Sequence, residues 1–145
     1  MSLPSKPTSL PSLDELRDEL DFLDDDRDRC DYLIDLGFEL PQLPEEQRTE
    51  DNRVRGCQSN VWLVGEMSPV SRLEFVATSD AMFVNGLIVV LRALLYGKSA
   101  AEVAAIDLPR ELEALGLDDL VTPQRKNGLF GMVQRLQAIA AGDSQ

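Results

Sequence analysis

The sequence predicts an α+β fold, with a small antiparallel β-sheet and helices packed against one side of it. Apolar residues recur with helical spacing before residue 37, form two β-rich runs between residues 59 and 78, and return to helical spacing after residue 79. This order of helices, a hairpin and more helices is typical of α+β domains. The length of 145 residues fits one domain with its own core.

The folded domain is predicted to span residues 12–142. Proline and serine dominate residues 1–11, which we predict to be a disordered tail. The first helix is expected to start directly after this tail, because Ser12 and Glu15 match the capping-box pattern. Leucines then follow at spacings of three and four, which indicates one short amphipathic helix.

A second helix follows the acidic run 24–26, whose carboxylates are suited to cap it. Its apolar face carries Cys30 and Leu33, and Gly37 is expected to end it. We expect the first two helices to pack as a helical hairpin. Residues 38–54 are mostly polar and contain two prolines, which indicates a loop long enough to suspect a function.

The next two segments are predicted to form a β-hairpin. Residues 59–64 and 72–78 are rich in valine and aromatic residues with partial alternation, and glycine, serine and proline lie between them. A third short strand that includes Val54 would extend the sheet. We therefore expect a small antiparallel sheet.

The remainder of the chain is predicted to form four helices. The first is the most apolar and is expected to form the core, with Ser79 or Asp80 as its cap. Caps, prolines and glycines delimit the other three. These signals are a capping box at 99–102, Pro109 and Gly116 around the next helix, and Thr122 with Pro123 before the last helix.

The charge of the chain argues against two classes of partner. There are 14 basic and 26 acidic residues, which gives a formal net charge of −12. Such a chain is repelled by nucleic-acid phosphates and by anionic lipids, so we expect neither as a partner. The apolar run 81–96 is shorter than the roughly 20 residues that span a bilayer, which indicates a buried helix instead.

The residue content also excludes common catalytic designs. Histidine is absent, which removes the usual general base and the commonest zinc ligand, and no glycine-rich phosphate loop occurs. The acidic run 24–28 contains interleaved arginines and lacks metal-loop spacing, so no metal site is expected. No signal-peptide pattern opens the sequence, so we expect a cytoplasmic protein in which Cys30 and Cys57 are free thiols.

Cys57 is the candidate for chemistry, because it lies between the polar loop and the first strand. Arg53 and Arg55 are cations that would favour its thiolate, which is the reactive form of cysteine. Gly56 allows backbone conformations suited to presenting a thiol to another protein. The alternative is that Cys57 is a small buried side chain beside a turn. Cys30, on the apolar face of a helix, is expected to be an inert buried thiol.

Three segments in register resemble the SufE family of sulfur-acceptor proteins. They are Arg-Gly-Cys-Gln-Ser-Asn-Val-Trp-Leu at 55–63, Ser-Asp-Ala at 79–81, and Thr-Pro-Gln-Arg-Lys-Asn-Gly-Leu at 122–129. The resemblance covers nearly everything after the tail. It implies a SufE/IscU-like fold.

The resemblance also implies a function. Cys57 would take sulfur as a transient persulfide from a SufS-type cysteine desulfurase, stimulate that enzyme, and pass the sulfur to an iron–sulfur scaffold such as a SufBCD-like complex. The chain itself would be a sulfur carrier rather than an enzyme and would bind no cofactor. Pyridoxal phosphate would belong to the desulfurase.

Further site residues follow from the same resemblance. Arg125 and Asp80 are expected at the partner surface, although each has a plainer interpretation as an exposed arginine and a helix cap. Arg55, Gly56, Gln58 and Ser59 would shape the surroundings of the thiol.

Three alternatives to a SufE-type carrier remain open. A CsdE-type acceptor would serve a different desulfurase. An IscU-like cluster scaffold needs several thiolate ligands and is less favoured. A plain interaction domain would use Cys57 only for packing.

Overall fold

The computed structural model describes residues 10–57 and 59–142, so residues 1–9 of the predicted tail 1–11, and Gln58, lie outside the described residues. Six α-helices, a short 3₁₀ helix and two strands form within these ranges, which confirms the α+β prediction. The elements are α1 Leu13–Phe22, α2 Asp26–Glu39, the 3₁₀ turn Glu45–Gln47, β1 Val61–Met67, β2 Leu73–Ser79, α3 Met82–Leu95, α4 Ala100–Ala104, α5 Leu108–Ala114 and α6 Pro123–Ala140.

The sheet is an antiparallel hairpin of β1 and β2, with Val61 opposite Ser79 and Met67 opposite Leu73. Both strands begin and end later than predicted, because pairing continues until the tight turn at residues 68–72. Val54 donates its backbone N–H to the Val61 carbonyl at 2.8 Å. The expected third strand is nevertheless reduced to an isolated bridge within the described residues.

Helix α3 lies at the centre of the packing, since ten of its 14 residues are buried. Helix α2 packs closely along it, and α3 also contacts α1 and β2, while α6 packs against β1 and α4. A Cβ atom on Gly86 of α3 would overlap the carbonyl of Leu33 in α2. Glycine at this position therefore permits the close approach of the two helices.

Two predictions about α2 were wrong. The helix continues past Gly37 to Glu39, because Gly37 is buried against α3, where an added Cβ would be 2.7 Å from the Met82 carbonyl oxygen. The glycine therefore serves helix packing and does not end the helix. Instead of pairing mainly with each other as a hairpin, α1 and α2 both pack on α3.

Most predicted helix caps are confirmed. The Ser12–Glu15 and Ser99–Glu102 capping boxes both form, and Thr122 caps α6. The predicted cap of α3 was wrong, because Ala81 occupies that position without a side-chain hydrogen bond. No helix in residues 10–57 and 59–142 has the length and apolarity that crossing a bilayer requires.

Candidate functional site

Cys57 lies on a short loop that connects the bridge at Arg53 to strand β1. The loop turns at Gly56, whose φ of 86° lies in the left-handed region that glycine adopts without steric cost. The half-buried Cys57 side chain rests on α6. A Cβ atom added to Gly128 would be 3.0 Å from the Cys57 sulfur, so only glycine leaves normal room for the thiol there.

A small cavity of about 20 Å³ adjoins the thiol. This volume is sufficient for one water-sized group. Its apolar lining consists of Val61, Val84, Leu87, Leu129 and Met132. Ser59, Gln124, Arg125 and Gly128 also line it, so the structure brings three of the predicted site residues, Cys57, Ser59 and Arg125, to one cavity.

Burial raises the pKa of the Cys57 thiol above its ordinary value, and the nearby Arg53 guanidinium lowers it by a smaller amount. The net effect is a raised pKa, because removing the thiolate from water outweighs the attraction of one partly exposed cation. In this position Cys57 is therefore a protonated thiol at neutral pH. A thiol in this position is a weaker nucleophile than one that is exposed to water.

Of the two arginines predicted to favour the thiolate, only Arg53 lowers the pKa of Cys57. Arg55 is 75% exposed and forms an ion pair with Glu50 at 3.1 Å. Glu50 also lies 3.6 Å from the guanidinium of Arg53. The carboxylate of Glu50 therefore lies within ion-pair distance of both arginines.

Asp80 holds the far end of the cysteine loop. Its carboxylate accepts hydrogen bonds from the backbone N–H of Asn60 at 3.2 Å and from the Asn60 side-chain amide at 2.9 Å. The backbone N–H of Asp80 donates in turn to the Asn60 carbonyl. Asp80 thus anchors the residue before β1 instead of capping α3 as its plainer interpretation predicted.

Arg135 holds the near end of the same loop and was not anticipated from the sequence. Its guanidinium donates to the carbonyl of Arg53 at 2.8 Å and to the carbonyl of Asp51 at 2.6 Å. Gly128 and Gly131, which lie beside the loop on α6, were also missed as site residues. The three residues share one helical face by spacing, but no sequence signal relates that face to a loop so much earlier in the chain.

Arg125 occupies the third position of α6, and its backbone N–H donates to the Thr122 hydroxyl. Its guanidinium lies over the Phe83 ring at 4.9 Å, a cation–π contact that offsets its unfavourable place at a helix N-terminus. The side chain separates the Cys57 cavity from a surface groove that contains Cys30.

Cys30 is partly exposed in that groove and is not the buried thiol expected from the helical pattern. Its pKa is raised, first by desolvation and then by Asp26 and Asp31, while Arg125 lowers it. Two neighbouring carboxylates thus work against thiolate formation. Among the described ranges, no group of three or more cysteine, aspartate or glutamate residues is placed to hold a metal ion.

Comparisons with known proteins give matches over most of the chain. The sequence model of the SufE family, described as an Fe-S metabolism associated domain, matches residues 14–140. An uncharacterized SufE-like protein of Rhizobium etli is 43% identical over 133 residues, 88% of each chain. A second one, from Rhizobium meliloti, is 40% identical over 136 residues, which are 92% of this chain and 97% of the relative.

The fold has a counterpart among solved structures. The solution structure of a hypothetical protein from Thermus thermophilus superposes with a TM-score of 0.71 and 23% sequence identity. The match covers 93% of this chain and 97% of that one. At this identity the likeness concerns the fold alone.

Proposed function

The chain belongs to the SufE family, and from this premise we propose that Cys57 accepts sulfur from the persulfide of a cysteine desulfurase. Membership implies a sulfur-transfer role in iron–sulfur metabolism. The observation that carries the finer proposal is the placement of Cys57. A thiol on a glycine-containing loop, anchored at both ends and half-buried between them, is suited to alternate between a sheltered and an exposed position.

The transfer step is a thiol–persulfide exchange. The Cys57 thiolate attacks the outer sulfur of the donor persulfide, a new sulfur–sulfur bond forms, and the donor sulfur–sulfur bond breaks. The donor cysteine leaves as a thiolate and takes up a proton, and Cys57 becomes the persulfide. No net oxidation or reduction occurs.

The raised pKa of Cys57 favours a sequence of events in which the loop moves first and sulfur transfer follows. In the sheltered position the thiol is protonated and covered on one side by α6, so it reacts slowly with small electrophiles. When the loop moves into water, the desolvation penalty of the Cys57 thiolate becomes smaller. The sulfur atom also becomes accessible to the donor persulfide. We expect the desulfurase to bind the protein while the loop is in this exposed position.

Arg125 and Asp80 both lie next to parts of the cysteine loop. Arg125 lines the cavity that the thiol would leave, and Asp80 is exposed at the far anchor of the loop. Both are therefore proposed as part of the surface that meets the desulfurase. Onward delivery to an iron–sulfur scaffold completes the proposed role. The pyridoxal phosphate that generates the donor persulfide belongs to the desulfurase.

The proposal is tested by titrating the protein into a SufS-type desulfurase with cysteine as substrate and measuring alanine release. Wild-type protein and Cys30→Ala should both stimulate turnover, whereas Cys57→Ala should not. Equal stimulation by Cys57→Ala would refute the proposal and favour a plain interaction domain. The same titration with a second desulfurase separates a SufE-type from a CsdE-type acceptor, according to which enzyme is stimulated.

A further inference from the structure

Helix α6 contacts alternate residues of the chain that leads to Cys57. The Arg135 guanidinium binds the carbonyl of Arg53, the Gly131 backbone lies against the carbonyl of Arg55, and Gly128 lies against the Cys57 sulfur. The loop thus runs along one helical face, in the direction opposite to that of the helix.

The dimensions of the two segments agree with this arrangement. From Arg135 back to Gly128 is seven residues of helix, or about 10 Å at 1.5 Å per residue. From Arg53 to Cys57 is four residues, at most about 13 Å when extended. A loop with one turn, at Gly56, spans a shorter distance than a fully extended chain. The two segments therefore fit side by side.

The contacts along this face differ in kind. At Gly131 and Gly128 the helix offers no side chain, so the loop rests there by shape alone. At Arg135 the helix donates hydrogen bonds from a charged group to the carbonyls of Arg53 and Asp51. Hydrogen bonds from a charged donor are stronger than those between neutral groups. The strongest attachment of this loop segment to α6 is therefore at its base.

We infer that Arg135 is a positioning residue for Cys57: it fixes the base of the loop on α6, so that the thiol leaves and returns to its cavity by movement of the turn at Arg55, Gly56 and Cys57. The Asp80–Asn60 contact limits the movement at the other end. The inference deepens the proposed function and rests on it for its biological meaning. The attachment itself is measurable without any partner.

The first measurement is the alkylation rate of Cys57 by iodoacetamide, made in a Cys30→Ser background so that one thiol reacts. Arg135→Gln removes the charged donors and should accelerate alkylation about tenfold. This corresponds to a change of about 1.4 kcal/mol in the free-energy difference between the sheltered and the exposed loop. Arg135→Lys keeps the charge but lacks the planar fork that reaches two carbonyls, so its acceleration should be smaller. Arg110→Gln, at an exposed arginine of α5, should match the parent.

Dependence on urea distinguishes a loosened loop from a destabilised fold. Alkylation through global unfolding rises steeply with urea because unfolding exposes much surface, whereas movement of a short loop is nearly insensitive. The rates are therefore compared between zero and about 1 M urea, below the unfolding transition. The inference predicts an acceleration that is the same at each urea concentration.

The second measurement is sulfur uptake from the desulfurase. A loosened base misplaces the thiol without touching the proposed partner surface, so Arg135→Gln should lower the maximal rate and leave the apparent KM for the desulfurase unchanged. If Arg135→Gln does not fold, Arg135→Lys supplies both comparisons.

An alkylation rate within about twofold of the parent, or an acceleration that grows with urea in parallel with unfolding, would overturn the inference. Failure of the proposed function looks different. In that case the parent protein would gain no sulfur from any desulfurase, while the alkylation rates would still report whether Arg135 holds the loop.

Discussion

Replacing Gly128 by alanine tests whether the sheltered position of Cys57 depends on a helix without a side chain. An alanine Cβ would lie 3.0 Å from the Cys57 sulfur, 3.6 Å from its Cβ and 3.7 Å from its Cα. The last two distances are ordinary contacts, whereas the first is shorter than the roughly 3.5–4.0 Å at which non-bonded carbon atoms attract most strongly. Only the thiol itself is obstructed.

The magnitude follows from the size of this overlap. An extra methyl group in a well-packed site costs about 1–3 kcal/mol when its surroundings cannot move. The cysteine loop can move, so we expect about 1–2 kcal/mol to appear as a shift towards the exposed loop, a factor of about 5–30. Alanine at this helical position also gains up to about 1 kcal/mol over glycine. The free energy of global unfolding should therefore change little or increase.

The assay pairs Cys57 alkylation in native buffer with urea unfolding of the same protein, again in the Cys30→Ser background. Gly128→Ala should be alkylated about 5–30 times faster while its unfolding free energy stays within about 1 kcal/mol of the parent. Faster alkylation without loss of stability is a result that general destabilisation does not produce. An unchanged alkylation rate in a folded variant would refute the reasoning.

Gly131→Ala is the matched control on the same face of α6. Its Cβ would lie 3.2 Å from the Arg55 carbonyl oxygen, slightly below the ~3.3–3.6 Å of normal contacts between C–H groups and carbonyl oxygens. The gain in helix propensity is the same, but the thiol is not touched. We expect an alkylation rate much nearer to that of the parent than to that of Gly128→Ala.

The remaining predictions concern the charged residues around the loop. Arg53→Gln removes the cation that lowers the pKa of Cys57, so the pKa should rise further and the pH profile of alkylation should move to higher pH; an unmoved profile would contradict this. Asp80→Asn weakens the far anchor, so alkylation should accelerate while the unfolding free energy in urea falls by no more than about 1 kcal/mol; unchanged alkylation would count against the anchor. Arg125→Gln should raise the pKa of Cys30 and slow its alkylation, as measured by peptide mass spectrometry. The same substitution should raise the apparent KM for the desulfurase. An unchanged KM would show that Arg125 does not belong to the partner surface.

The sequence predicts those parts of the fold that depend on local interactions. Capping boxes at Ser12 and Ser99 are short-range hydrogen-bond patterns, and both form as expected. The hairpin follows from β-rich segments on either side of a turn. The end of α2 was mispredicted because a glycine near the end of a helical pattern resembles a stop signal, whereas close packing on α3 decides the role of Gly37.

The site is predictable only in part for the same reason. Cys57 and Gly56 stand out because a reactive thiol and its turn are adjacent in the sequence. Asp80 was interpreted through its neighbours as a helix cap, although its partner Asn60 is 20 residues away across the sheet. Arg135 is 82 residues from the carbonyl of Arg53 that it binds, and only the packing of α6 beside the loop shows that contact.

Intact-mass spectrometry of the reduced protein after incubation with a cysteine desulfurase and cysteine tests the central claim most directly. The account predicts a gain of one sulfur atom, about 32 Da, that is removed by a thiol reductant, present in the wild type and in Cys30→Ser and absent in Cys57→Ser. A sulfur adduct of the same size on Cys57→Ser, or none on the wild type with a desulfurase that is active in the same tube, would contradict the assignment of Cys57 as the acceptor.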